Sequence, residues 1–339
     1  MTKTALTGTT ILALSLSTLT AHAEDLVVGM FGGNFAKAVT QCHVQPYEAA
    51  TGDTVIPQEG SSSQFASMVR ATGGTSDFDV IYIDNSFAAQ LASEGLSEKL
   101  DRAKITHTAD LPEAVWGADD HFVQFQWAAT TIAYNPKAYP TPPDSWAAIF
   151  DAAPSGNVAL PDISGTAGVH FLLAAAKLNG GSLENLDPGF EAIKKIAPDI
   201  KAYYTQADQI IAMFERGEVD IAPWYQDRAA AAAAAGVPVA IAYPKEGAIG
   251  INVTMVIPKG AANPEGAYKY IDTLLSPEAQ KCLADVMYEG PVNTKVSLTG
   301  PAAEALPPEI FKTLDFPDPE YVAANVADWR ARWQREITR

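Results

Sequence analysis

In this 339-residue chain, Trp224, Tyr225, Gln226 and Asp227 stand together directly after a short apolar run at 218–223. An aromatic face beside a carboxylate suits a cation. The ring quadrupole contributes ~0.5–2 kcal/mol, more as the site is desolvated, and the carboxylate adds a charge-assisted hydrogen bond. A further acid, Asp84, closes the apolar run 78–83 and opens a polar turn with Asn85 and Ser86. Other turns of small polar residues carry Asn34 ahead of Phe35, Ser62 within a serine triplet, and Ser164 and Thr166 around Gly165. Trp127 and Asn252 lie on two long extended stretches. Each candidate also has a plain structural role open to it. Asp227 can be an acid at the N-terminus of the Ala-rich helix that follows. Ser164–Thr166 can be a helix cap, and Trp127 can be core, as Trp116 and Trp146 read.

Several chemistries find no residues. There is no Gly-x-Ser-x-Gly elbow, no His-Glu-x-x-His and no Cys/His pair placed for catalysis. His43, His107, His121 and His170 show no metal-ligand spacing, and Cys42 and Cys282 make no Cys-x-x-Cys. The chain is therefore expected to be a non-enzyme without cofactor or metal. Tyr203 and Tyr204 resemble a ferric phenolate pair only superficially. A net charge of −17 argues against nucleic acid and anionic membranes as partners. It is compatible with a cationic ligand, and equally with simple solubility.

Residues 1–23 have the parts of a secretory signal peptide: an early Lys3, a short apolar centre and Ala21-His22-Ala23. The apolar stretch is short and Ser/Thr-rich for a spanning helix of ~20 residues. No cysteine follows the cut, so an unlipidated exported chain beginning at Glu24 is expected. In an oxidising compartment Cys42 and Cys282 are a disulfide candidate, with two unpaired buried thiols as the alternative.

The candidate residues need elements to position them. Apolar runs at 26–30, 53–58 and 77–83 alternate with amphipathic stretches at 35–50, 64–71 and 87–94. That alternation predicts a parallel α/β sheet with helices on both faces, and ligands bind outside the carboxyl ends of such strands. The turns at 32–34, 60–63 and 84–86 fall there. Extended runs at 126–135 and 250–258 bracket a second α/β series, and an amphipathic helix over 320–337 ends the chain.

The order of these segments resembles the two-lobed bacterial extracellular solute-binding proteins of ABC importers, in particular the spermidine/putrescine-binding branch. The resemblance is carried by Phe78-Asp79-Val80-Ile81 leading into the 84–86 turn and by Trp127 before the extended stretch 130–135. Phe214-Glu215-Arg216-Gly217-Glu218-Val219-Asp220-Ile221-Ala222 and Tyr243-Pro244-Lys245-Glu246-Gly247 carry it further, as do Ile257-Pro258 and Asn263-Pro264-Glu265-Gly266-Ala267.

The resemblance implies a Venus-flytrap fold. One lobe would hold 24–129 plus 253–293 and the other 130–252 plus 294–339, joined by two crossover hinge strands. It implies a periplasmic monomer that closes on a small amine and docks on an inner-membrane permease. The implied ligand set is Asn34, Phe35, Ser62, Asp84, Asn85, Ser86, Trp127, Ser164, Thr166, Trp224, Tyr225, Asp227 and Asn252. The chain departs from the polyamine pattern at 250–253, where an aromatic residue and an acid are replaced by Gly-Ile-Asn-Val. That keeps a zwitterion such as γ-aminobutyrate open, with Arg228 or the 164–166 turn for its carboxylate. A bridge between Cys42 and Cys282 would then join two helices of one lobe.

Overall fold

The computed structural model describes residues 25–338 apart from 74, 118, 207 and 307, so the signal-peptide expectation for 1–23 lies outside the described residues. Strand β1 (Asp25–Phe31) leads through Gly32 and Gly33 into helix α1 (Asn34–Val39). Gly33 has a φ of 71°, and a Cβ there would come within 1.8 Å of Asp208 Oδ2, so both backbone and space demand glycine. A π-helical stretch, Thr40–Val44, and α2 (Gln45–Thr51) continue the helix. Next come β2 (Thr54–Gly60), α3 (Ser62–Thr72), β3 (Val80–Asp84), α4 (Asn85–Ser93), the short β4 (Trp116–Gly117) and the 13-residue β5 (Phe122–Tyr134). Helix α3 starts on a capping box: Ser61 Oγ accepts from Gln64 N while the Gln64 side chain accepts from Ser61 N.

The second series holds α5 (Ala147–Ala152), β6 (Ala159–Pro161), α6 (Thr166–Leu178), α7 (Asp187–Ile196), β7 (Ala202–Tyr204) and α8 (Gln209–Glu215). It closes with β8 (Ile221–Tyr225), α9 (Gln226–Ala234) and β9 (Ala240–Ala242). The chain then returns through β10 (Ile249–Val256) to α10 (Pro264–Leu275), α11 (Pro277–Met287) and β11 (Gly290–Pro291). Helices α12 (Gly300–Ala305), α13 (Pro308–Phe311) and α14 (Pro319–Glu336) complete it.

Strands β1, β2 and β3 are parallel, as the alternation predicts. The whole sheet is not. Its order is β11-β5-β10-β3-β1-β2, and β10 runs antiparallel to both β3 and β5. The reason is topological: β10 re-enters from the second series instead of arriving by a helical crossover. Strand β5 explains the division of the molecule. Its first half pairs with β4, β11 and β10, while Thr130–Tyr134 pair with β8 and Ile132–Tyr134 with β9. Two long strands, β5 and β10, thus lie side by side and join two lobes, as the hinge expectation requires.

The cores separate accordingly. Leu26, Val28, Tyr82, Met255 and Leu274 form one cluster, and Phe65, Phe78, Ile83 and Phe87 another, on elements of the first lobe. Ile132, Trp146, Phe171, Leu172 and Trp333 form the second lobe's main cluster. The tail visits both sets of elements. Thr294 N donates to Asp110 O at 3.0 Å, Gly250 N donates to Asp315 O at 2.8 Å, and Val322, Val326 and Trp333 of α14 are buried with the second lobe.

Cys42 and Cys282 are bonded, with Cα atoms 5.6 Å apart, so the alternative of two free thiols is set aside. The bridge ties the π-helical stretch to α11, whose neighbours belong to the same core cluster. It therefore spans 240 residues of sequence without crossing the hinge. Closing so long a loop restricts the unfolded chain, and such bridges contribute about 2–4 kcal/mol. Replacing both cysteines by serine should lower the unfolding free energy by that amount. Urea unfolding with and without reductant checks this, and coincident midpoints would contradict it.

Candidate functional site

A cavity of about 220 Å³ opens where strand ends of both lobes meet. From the first lobe, β1 delivers Phe31, α1 Phe35, the start of α3 Ser62, and β3 ends on Asp84. From the second, Thr166 stands at the start of α6, Tyr225 ends β8, and Asp227 and Arg228 begin α9. The hinge strands form the floor through Gln126, Ala128, Ile251 and Val253, and Glu289 enters just before β11. The lining is largely apolar and aromatic, with a few convergent charged groups, the usual make-up of a small-molecule site.

Those charged groups are buried. Asp84 is held by Thr166 Oγ1, which donates to Oδ2 from the opposite lobe, and its backbone N donates to Ser62 Oγ at 3.1 Å. Burial raises its carboxyl to about 6, against the pull of those hydrogen bonds, and the Asp227 charge adds to the rise. Desolvation also raises Asp227, opposed by Arg228. Glu289 is pushed well above the ordinary carboxyl value, first by burial and then by the Asp227 charge. Burial raises the Tyr225 phenol, so it stays neutral, and its oxygen accepts from Ala167 N at 3.2 Å. Arg228 is the cationic side chain of the lining, and it is already engaged. It donates to Asp208 Oδ1 at 2.9 Å and to Gly32 O at 3.2 Å, and lies 3.8 Å from Asp227. Asp208 in turn accepts from Asn34 N at 3.2 Å, so first-lobe backbone at Gly32 and Asn34 holds this second-lobe ion pair across the cleft.

Of the residues singled out in the sequence, Phe35, Ser62, Asp84, Thr166, Tyr225 and Asp227 converge on the cavity. Trp224 does not. It is fully buried, stacked on Phe214 with ring centroids 6.4 Å apart, in a core cluster of the second lobe. A strand turns successive side chains to opposite faces, so placing Tyr225 in the cleft sends Trp224 into the core. The same parity removes Trp127 and Asn252, which pair across β5 and β10 while Gln126, Ala128, Ile251 and Val253 face the cavity. Trp127 instead packs on Phe311 at 5.0 Å, and Asn252 accepts from Gln124.

Asn34 contributes a backbone N–H to Asp208 and its side chain does not line the cavity. Asn85 and Ser86 line a small neighbouring recess closed by Arg330. Ser164 offers its carbonyl to Arg330 at 3.2 Å. Sequence reasoning passed over Phe31, Gln126, Asp208 and Glu289. The floor residues were findable from strand parity once Tyr225 was placed; Asp208 and Glu289 carry no motif.

Comparison with known proteins agrees with this architecture. The sequence matches the family described as bacterial extracellular solute-binding protein over residues 43–308. The spermidine/putrescine-binding periplasmic protein of Escherichia coli is 26% identical, with 96% of this chain and 91% of that protein covered. The gamma-aminobutyric acid-binding protein of Pseudomonas aeruginosa is 25% identical, covering 85% and 83%. Among solved structures, the PBP AgtB from Agrobacterium tumefaciens in complex with agropinic acid superposes with a TM-score of 0.81. It is 25% identical, over 94% of this chain and 99% of that one.

The placement of Trp224 predicts its mutational signature. Trp224→Ala should cost about 3–5 kcal/mol of stability as a buried ring is deleted from the core, and Trp224→Phe should restore most of it. Urea unfolding of both variants checks this; a Trp224→Ala protein of normal stability would return Trp224 to the cleft.

Proposed function

The chain belongs to the bacterial extracellular solute-binding family, and from that membership we propose that it is the periplasmic substrate-binding component of an ABC importer. It acts as a monomer that captures a small amine of net positive charge, a polyamine such as putrescine or spermidine, and delivers it to an inner-membrane permease without catalysing a reaction. The lobes divide near 24–129 plus 253–293 and 130–252 plus 294–339. The observation that carries the ligand reading is the convergence of Asp84 from one lobe and Asp227 from the other on a cavity walled by Phe31, Phe35 and Tyr225. An ammonium between them touches both lobes, which is the differential contact that favours a closed state. The methylenes of the ligand would lie against the rings. The names of the Escherichia coli and other polyamine-binding relatives support this reading.

A second reading, γ-aminobutyrate, is favoured by Arg228, a guanidinium at the cavity wall that could take a carboxylate, and by the Pseudomonas aeruginosa relative. Arg228 would have to share itself with Asp208, which it already binds. That favours the dication.

Calorimetry with putrescine, spermidine and γ-aminobutyrate separates the cases. Asp227→Asn should weaken amine binding by about 2–5 kcal/mol, because the ammonium loses a buried charged partner. If none of the three amines binds while an inorganic anion or ferric iron binds tightly, the reading is wrong.

The titration of Asp84 sets the pH dependence. Its pKa is about 6 in the empty cleft, and a neighbouring ammonium favours the ionised form. Below pH 6 binding must therefore expel a proton, and affinity falls by up to about tenfold per pH unit. Affinity should drop between pH 7 and pH 5, with proton release detected in buffers of differing ionisation enthalpy. Affinity that is flat or rises on acidification would contradict the role of Asp84.

A further inference from the structure

Three acceptor oxygens on the cavity wall receive no hydrogen bond from any described N–H or O–H: Gln126 Oε1, Asp227 Oδ1 and Glu289 Oε2. Their residues are 2%, 4% and 2% exposed, so water does not stand in freely. Leaving a buried acceptor unpaired costs ~1–3 kcal/mol, and more when it is charged. The cluster is nonetheless built with care. The Gln226 side chain accepts from Ala129 N at 2.5 Å and donates to Tyr288 O at 2.9 Å, which pins the neighbouring Asp227 and Glu289 to β5 beside Gln126.

Tyr288 ends α11 in the left-handed conformation, φ 58°, and turns the chain so that Glu289 reaches the cavity. Gly290 follows because a Cβ there would lie 1.8 Å from Trp127. The side-chain amide of Gln126 donates to Glu289, and the two acids share a hydrogen between them when Glu289 is protonated. Glu289 thus has the Gln126 amide on it and Asp227 has backbone N–H groups and Arg228 beside it, yet Gln126 Oε1, Asp227 Oδ1 and Glu289 Oε2 stay without a partner.

We propose that Gln126, Asp227 and Glu289 form a seat for a primary ammonium, reading its three N–H donors as well as its charge. The inference rests on the amine reading above and sharpens it from charge to degree of substitution. A primary ammonium presents three donors from one point charge, which matches three orphaned acceptors. A quaternary or tertiary ammonium carries the same charge and the same attraction to the aromatic wall, yet leaves two or three of these oxygens unpaired. A site that reads charge alone would accept both, whereas this seat rejects the alkylated one, because the buried polar groups of such a site penalise a ligand lacking the donors.

The first arm of the test uses the wild-type protein, and the Glu289→Gln variant supplies the second. Calorimetry compares putrescine with its N,N,N′,N′-tetramethyl derivative, in which neither end is primary, and γ-aminobutyrate with its N-trimethyl derivative. For whichever parent binds, the alkylated partner should bind at least about tenfold more weakly. Glu289→Gln should weaken the parent by a similar factor and narrow the gap between the two. Binding of the alkylated ligand within about threefold of its parent overturns the seat while leaving the amine reading intact. A gap unchanged in Glu289→Gln also overturns it. Failure of both parents to bind removes the amine reading itself, and the seat with it.

Discussion

The structure is organised around a concentration of buried acid. Asp84, Asp227 and Glu289 line one small cavity, and its cationic wall residue, Arg228, already carries Asp208. Moving carboxylates out of water is costly, and burial raises all three. Such an arrangement lowers the stability of the empty protein. On the proposed amine reading, a cation entering the cleft would supply the missing charge and the missing donors together.

The fold exists to bring those acids together from separate lobes. Parallel strands β1 to β3 present their carboxyl ends, and with them Asp84, to the cleft. Strand β8 does the same for Tyr225 and Asp227 from the other side. Strands β5 and β10 connect the two groups and form the cavity floor. Where the lobes touch, the contacts are polar and apolar together: Thr166 to Asp84, Arg228 to Gly32 O and Asn34 N to Asp208, with Tyr225 and Ala231 packed against one first-lobe cluster and Ala323 against the other. Hydrogen bonds of this kind exchange readily with water and contribute little net free energy, of order 1 kcal/mol each.

Much of the scaffold was legible in the sequence because its signals are local. Apolar alternation gave the strands, the glycine and serine turns gave their ends, and two long extended runs gave the hinge. The parallel sheet was only half right, since the direction of β10 depends on its return from the other lobe, which no local pattern records. Site residues were legible to the extent that they follow strand ends, as Asp84, Tyr225 and Asp227 do. Trp224 and Trp127 were drawn in by their chemistry and placed elsewhere by strand parity, which a single sequence leaves undefined until one residue of each strand is anchored. Glu289 was missed because its position depends on a left-handed turn at Tyr288, a residue type that gives no warning of one.

The account stands on the cleft being made for a primary amine. Native mass spectrometry of the protein purified from the cells that make it, without added ligand, tests that most directly. The account predicts one small molecule per chain with a primary amino group and a net positive charge. A bound ferric ion, an inorganic anion or a solute without an amine, at the same stoichiometry, would contradict it.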